Sequence, residues 1–173
     1  MCVTAQPGGA NCDTINRRTE IEMAFQLFSN SFAEGGWIPE LYSCLGADIS
    51  PSLEWSGEPP DTRSFALILE DPDAPGGIWC HWLLYDVAPK VHNLAQAYKP
   101  GSLGLNGKND FGNLGYGGPC PPRGGPHRYF FRLYALDLDT LGLAAGAARK
   151  TVVEALKGHV LAEAQYMGKF QRK

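Results

Sequence analysis

Residues 64–87 read SFALILEDPDAPGGIWCHWLLYDV, and the order of residue types along this stretch sets the fold class. An apolar run, Ser64 to Glu70, stops at Asp71-Pro72-Asp73-Ala74-Pro75, crosses Gly76-Gly77, and gives way to a second apolar and aromatic run, His81 to Val87. Runs this short, bounded by Pro, Gly and Asp, are strand signals. The prolines restrict φ, so two carboxylates are held where the first strand leaves its sheet. Outward along the chain the same rhythm recurs at Met23 to Phe28 and at Tyr129 to Leu136. The chain therefore reads as mainly β.

One helix is expected, over about Ala147 to Lys157, with Ala148, Val152, Ala155 and Leu156 on one face and Gly158 as its stop. After it, Ala162, Ala164, Tyr166, Gly168 and Phe170 alternate with polar or charged neighbours, a period of two that predicts a closing strand. Nine glycines lie between Gly101 and Gly125, together with Pro119, Pro121 and Pro122, so no regular element runs through most of that segment. Long segments of this kind in compact domains tend to be binding loops. Residues 1–21 are polar with no apolar period and read as a flexible extension, leaving 22–173 as one domain.

A length of 173 residues with 44% hydrophobic side chains suffices for a buried core without metals or disulfides. The net charge of -3 and the scattered basic residues argue against a nucleic-acid partner. No window offers the roughly 18 apolar residues of a membrane span, and Met1 to Ile15 lacks a signal-peptide core, so a cytoplasmic protein is expected. Five cysteines without a close CxxC spacing fit reduced thiols better than a disulfide framework, with Cys44 and Cys120 left open as a pair.

The residues that could carry chemistry cluster around the same stretch. The short connection after Asp71 brings the next strand back alongside, which predicts His81 beside Asp71 as a carboxylate–imidazole pair. Such a pair fixes the histidine tautomer, raises its pKa and leaves a cationic donor for a phosphate or carboxylate. The alternatives are an exposed turn whose aspartates bond local backbone and a histidine packed in the core. His127 and Tyr129 open the strand Tyr129 to Leu136 two residues apart, hence on one face. Just upstream, Gly115 to Pro122 combines glycines, which let backbone N–H groups approach a ligand, with stiffening prolines. Together these parts describe an anion cradle.

Three separated motifs carry a family resemblance: Asp71-Pro72-Asp73-Ala74-Pro75, His81-Trp82 after a Gly-rich turn, and Gly118-Pro119-Cys120-Pro121-Pro122 followed by His127-Arg128-Tyr129. Over residues 22–173 the chain resembles the phosphatidylethanolamine-binding protein family, whose animal members include the Raf kinase inhibitor protein. Tyr42 to Gly46, Ser50 to Trp55 and Gly158 to Ala162 resemble the bacterial and archaeal branch. The resemblance implies two packed antiparallel sheets with a helix near the C-terminus, and a pocket for phosphate or a phospholipid headgroup. It also implies that Asp71, His81, His127 and Tyr129 line the pocket, that Trp79 and Pro121 form walls, and that backbone around Gly118 supplies N–H donors. Asp73 would support the turn, and the bacterial branch implies a homodimer. Against the animal members, Cys80 stands where another histidine precedes the His81 position, and the stretch Pro122 to His127 is one residue shorter.

The expected function is thus binding of a small anion, with no cofactor, no catalytic residue and no metal. A weak phosphoester hydrolase is the enzyme alternative, but no Gly-x-Ser-x-Gly elbow or paired-lysine motif is present, and Ser43 or Cys120 would have to be recruited as nucleophile. Cys44, Cys80, Cys120, His81 and His127 are soft ligands without the close spacing of a zinc site. Asp110-Phe111-Gly112 copies a kinase tripeptide out of its proper order. Inhibition of a protease or kinase through the surface is the remaining alternative, with no protein partner identified by any motif.

Overall fold

The computed structural model describes residues 24–173. The expected extension, residues 1–21, and the start of the first strand at Met23 lie outside the described residues. In chain order the strands are β1 (Gln26–Phe28), β2 (Leu53–Ser56), β3 (Ser64–Asp71), β4 (Trp79–Val87), β5 (Asn93–Leu94), β6 (Leu105–Asn106), β7 (His127–Leu136) and β8 (Val160–Phe170), with the helix α1 (Arg149–Leu156) between the last two. They form a three-stranded sheet, β1-β2-β5, and a five-stranded sheet, β6-β4-β3-β7-β8, in which every pairing is antiparallel.

β3 is central in the larger sheet, and all eight of its residues are buried, which is why its sequence is a continuous apolar run rather than an alternating one. Phe65, Leu67 and Leu69 face the core shared with Leu53 and Trp55 of the smaller sheet. Ala66 and Ile68 point the other way, into a second core closed by Val152 and Leu156 of α1. The helix is shorter than the periodicity predicts: Ala148 is exposed and serves as its N-cap, and Gly158, at φ +80°, ends the turn beyond it. β8 closes the sheet as expected, burying Ala164, Tyr166, Gly168 and Phe170 at a period of two.

β4 departs from regular pairing in a way that shapes the site. Leu69 pairs with Trp82 but Glu70 pairs with Cys80, so His81 is the extra residue of a β-bulge. Cys80 packs in the second core while Trp82 packs in the first, and the bulge turns His81 to the side of Trp82.

The glycine-rich segment is ordered against the outer edge of β4. Gly107, Asp110 and Gly117 donate their N–H groups to the carbonyls of Leu83, Cys80 and His81. Asn109, fully enclosed, organises the turn: its Oδ1 accepts from the N–H groups of Phe111 and Asn113, and its Nδ2 donates to the Gly115 carbonyl at 3.0 Å. The thiol expectation is overturned for one pair, because Cys44 and Cys120 form a disulfide across 76 positions of sequence, with Cα atoms 5.4 Å apart. That cross-link removes one of the grounds for placing the chain in the cytoplasm. Cys80 is free and buried, its thiol pushed up to about 12 by burial. Among the described residues, no helix is long and apolar enough to cross a membrane.

Candidate functional site

The end of β3, the start of β4 and the start of β7 meet the glycine-rich loop around a cavity of about 170 Å³. Its polar groups come from Asp71, His81 and His127, and its walls from Trp79, Phe111, Pro75, Pro121 and Pro122. Strand register explains the convergence. The β3–β7 ladder ends with Glu70 opposite Phe130, so Asp71 falls opposite Tyr129 and diagonal to His127, on one face.

Asp71 is buried and both of its oxygens are engaged. Oδ1 accepts the backbone N–H of Asp73 at 2.8 Å, the local bond that closes the Pro-rich turn. Oδ2 accepts from Nδ1 of His127, also at 2.8 Å. The expected pairing of Asp71 with His81 is therefore replaced by pairing with His127. The bulge puts His81 on the Asp71 side of the sheet, but its Nδ1 is taken by the Gly117 carbonyl, and Asp71 Oδ2 is taken by His127, diagonal to it across the β3–β7 ladder. His127 lines the cavity and keeps Nε2 as the ring nitrogen without a hydrogen-bond partner among the described residues.

His81 is buried, with its Nδ1 2.8 Å from the Gly117 carbonyl. A carbonyl only accepts, so Nδ1 carries the proton. The ring lies edge-on between Phe111 and Tyr129, both at 5.2 Å. Burial pulls the His81 pKa below its ordinary value, with the Gly117 carbonyl and the Asp71 charge opposing less strongly. The cationic His81 expected from sequence is corrected accordingly: at neutral pH the ring is uncharged, and its Nε2 is an acceptor.

Asp73 has the supporting role expected of it. Its carboxylate receives the Arg128 guanidinium through two hydrogen bonds of 2.8 and 2.9 Å and the Arg128 backbone N–H at 2.9 Å. The fork of Arg128 holds the Asp73 carboxyl down at about 2. Because His127 precedes Arg128, this clamp also fixes where β7 starts and hence where the His127 ring sits.

Two expected site residues stand elsewhere. Tyr129 is fully buried behind Asp71 and His81 rather than in the wall, and its hydroxyl has no hydrogen-bond partner among the described residues. Burial and the nearby Asp71 charge push its pKa far above the usual phenol value. Gly118 does not offer its N–H to the cavity, because that group donates to Asp48 Oδ1 at 2.6 Å. Its backbone lies so close to the 42–43 segment that a Cβ there would stand 2.2 Å from the Tyr42 carbonyl oxygen. The loop is an anchor, tied down by this contact, by the Tyr116 hydroxyl on the Tyr42 carbonyl at 2.6 Å, and by the disulfide. Trp79 and Pro121 do line the cavity. Sequence reading missed Phe111 as a wall of the cavity, where it packs on both Trp79 and His81.

A family model described as phosphatidylethanolamine-binding protein matches residues 28–171. The chain belongs to the phosphatidylethanolamine-binding protein family. A relative from Aquifex aeolicus, named UPF0098 protein, is 47% identical over 151 residues, covering 85% of this chain and 88% of its own. A UPF0098 protein from Methanothermobacter thermautotrophicus is 46% identical over 150 residues, covering 84% and 98%. Among solved structures, a Chlamydia trachomatis protein described as a putative phosphatidylethanolamine-binding protein homolog superposes with a TM-score of 0.80 at 41% identity, over 87% of this chain and 99% of that one. YbcL of Escherichia coli, described as a new member of the mammalian family, gives 0.81 at 33% identity, over 86% and 99%. The resemblance carried by the three motifs is thereby established at the level of family and fold, with the bacterial and archaeal relatives prominent in it.

Proposed function

We propose that this family member binds a small ligand bearing a phosphate-type anionic group, held in the cavity by His127. The observation that carries the reading is the Asp71–His127 pair. A buried carboxylate with a donor on each oxygen holds the imidazole of His127 by Nδ1, leaving Nε2 free on a residue that lines a cavity walled by aromatic and proline side chains. With its proton in place, that Nε2–H is a directed, charge-assisted donor for an anionic oxygen. The apolar walls exclude water from the contact, which strengthens it.

Binding without turnover is favoured over hydrolysis by the state of the candidate nucleophiles. Cys120 is tied up in the disulfide, and Ser43 is fully buried with its hydroxyl donating to the Glu40 carbonyl at 2.8 Å. Asp71 is held in two hydrogen bonds, from the Asp73 N–H and from His127, which fit it to orient the imidazole. Isothermal titration calorimetry with inorganic phosphate and with phosphoethanolamine tests the proposal. Saturable binding that His127→Ala weakens at least tenfold supports it, and unchanged affinity in that variant refutes the assignment.

A further inference from the structure

We infer that the cavity reads a proton on its ligand: His81 Nε2 accepts a hydrogen bond from a P–OH group, so the site takes hydrogen phosphate or a phosphomonoester and turns away phosphodiesters and sulfate. The inference rests on the binding proposed above and names the chemical class of ligand within it.

Three geometric facts lead there. First, the Nδ1 proton of His81 is committed to the Gly117 carbonyl, which leaves Nε2 as the only ring atom that can meet a ligand. Second, among the described residues His81 has no counter-ion. The other ionisable groups around it are Asp71, Asp110, His127 and Tyr129. Both Asp71 oxygens are engaged elsewhere, Asp110 accepts the Cys80 N–H at 2.7 Å, and the Tyr129 phenol stays neutral. A histidine 2% exposed, packed edge-on against two aromatic rings and lacking a free carboxylate, stays uncharged. Burial moves its pKa in the same direction. Third, the cavity also holds His127, whose Nδ1 donates to the Asp71 carboxylate, so that a proton on its Nε2 makes the ring a charge-assisted donor toward a ligand.

One donor and one acceptor on two histidines lining the same cavity match an oxyanion that carries both an O⁻ and an O–H. A fully ionised tetrahedral anion puts a lone pair against the lone pair of His81 Nε2. Sites that reserve a fixed acceptor for a ligand proton reject analogues lacking that proton far more strongly than pockets that sort by size. Phospholipid headgroups attached by a diester have no P–OH. The class selected is therefore the free monoester or inorganic phosphate, not an intact lipid.

Calorimetry on the wild-type chain at pH 7.5 compares inorganic phosphate with sulfate, which at that pH have the same shape and nearly the same charge but differ by one proton. A second pair, methyl phosphate and dimethyl phosphate at pH 5.5, holds the charge at about one and removes the hydroxyl. The expected result is at least tenfold tighter binding of the protonated member of each pair, and collapse of the phosphate-to-sulfate ratio toward one in His81→Gln, whose amide can donate as well as accept. Equal affinities within both pairs overturn the inference while leaving the binding proposal standing. Absence of binding by all four anions overturns both. Should His81→Gln fail to fold, the two wild-type comparisons decide the matter alone.

Discussion

Replacing Asp71 by Asn changes one atom and tests the pair on which the site depends. Asp71 receives two donors, the Asp73 N–H and His127 Nδ1, each at 2.8 Å. Asparagine offers one acceptor oxygen and one NH₂, so either amide orientation sets a buried N–H against an N–H. Leaving one buried donor unsatisfied costs about 1–3 kcal/mol. His127 can relieve part of that by moving its proton to Nε2, which keeps a donor in the cavity but removes the charge. Exchanging a charge-assisted hydrogen bond for a neutral one is worth about 1–1.5 kcal/mol, or roughly tenfold in affinity. Asp71→Asn should therefore unfold at lower urea, by an amount corresponding to about 1–3 kcal/mol. It should also bind inorganic phosphate roughly tenfold more weakly at pH 6 by calorimetry. Wild-type affinity in a destabilised variant would mean that the orientation of His127 plays no part in binding. Wild-type stability would mean that the two hydrogen bonds are not what the geometry says they are. Either result refutes the reasoning.

Other perturbations reach the site from different sides. Gly118→Ala places a Cβ 2.2 Å from the Tyr42 carbonyl oxygen and 2.9 Å from Ser43 Cα, so the loop must move, with a stability loss of about 2 kcal/mol or more and weaker phosphate binding. Gly125→Ala, with nothing within 4 Å of the added methyl, serves as the control and should leave both measurements unchanged. Reducing the Cys44–Cys120 disulfide, or replacing both residues by Ser, opens a closure of 76 residues, worth about 4 kcal/mol by loop entropy. A change below about 1 kcal/mol on comparing oxidised and reduced urea unfolding would contradict that account. Because burial lowers the folded pKa of His81 below 6.5, the unfolded chain binds more protons there, and stability is fullest above 6.5 and declines as pH falls below it. The loss of stability between pH 7.5 and 5.5 should be smaller in His81→Gln, and an equal loss would show that His81 does not contribute.

What could be read from sequence follows the range of the interactions involved. β3, β4, β7 and β8 are long enough for composition and period to show, and the Asp71 to Pro75 turn is marked by its prolines. β2, β5 and β6 have four, two and two residues, too few to carry a period, and exist because a neighbouring strand pairs with them. Trp79, His81, Pro121 and His127 could be placed at the cavity from motifs. Their partners could not. The face on which His81 sits turns on a bulge of one residue in β4, its Nδ1 is claimed by Gly117, 36 positions away, and the occupation of the Gly118 N–H turns on Asp48, 70 positions away. Phe111 could be read from sequence as an apolar anchor of the glycine-rich loop but not as a wall of the cavity, because its packing on Trp79 and His81 depends on the turn that Asn109 organises. Cys44 and Cys120 could be named as a possible pair from sequence, and what settles the pairing is the approach of the loop to the 40–48 segment across 76 positions.

The chain has four histidines, and two of them, His92 and His159, lie outside the cavity lining, hydrogen-bonded to Glu58 and Asp137. Long-range ¹H–¹⁵N correlation of the imidazole rings during titration with inorganic phosphate therefore tests the central claim most directly. The account predicts saturable shifts of the His81 and His127 ring nitrogens with one common dissociation constant, and no shift at His92 or His159. Shifts confined to His92 and His159, or unmoved His81 and His127 signals at saturating phosphate, would contradict it.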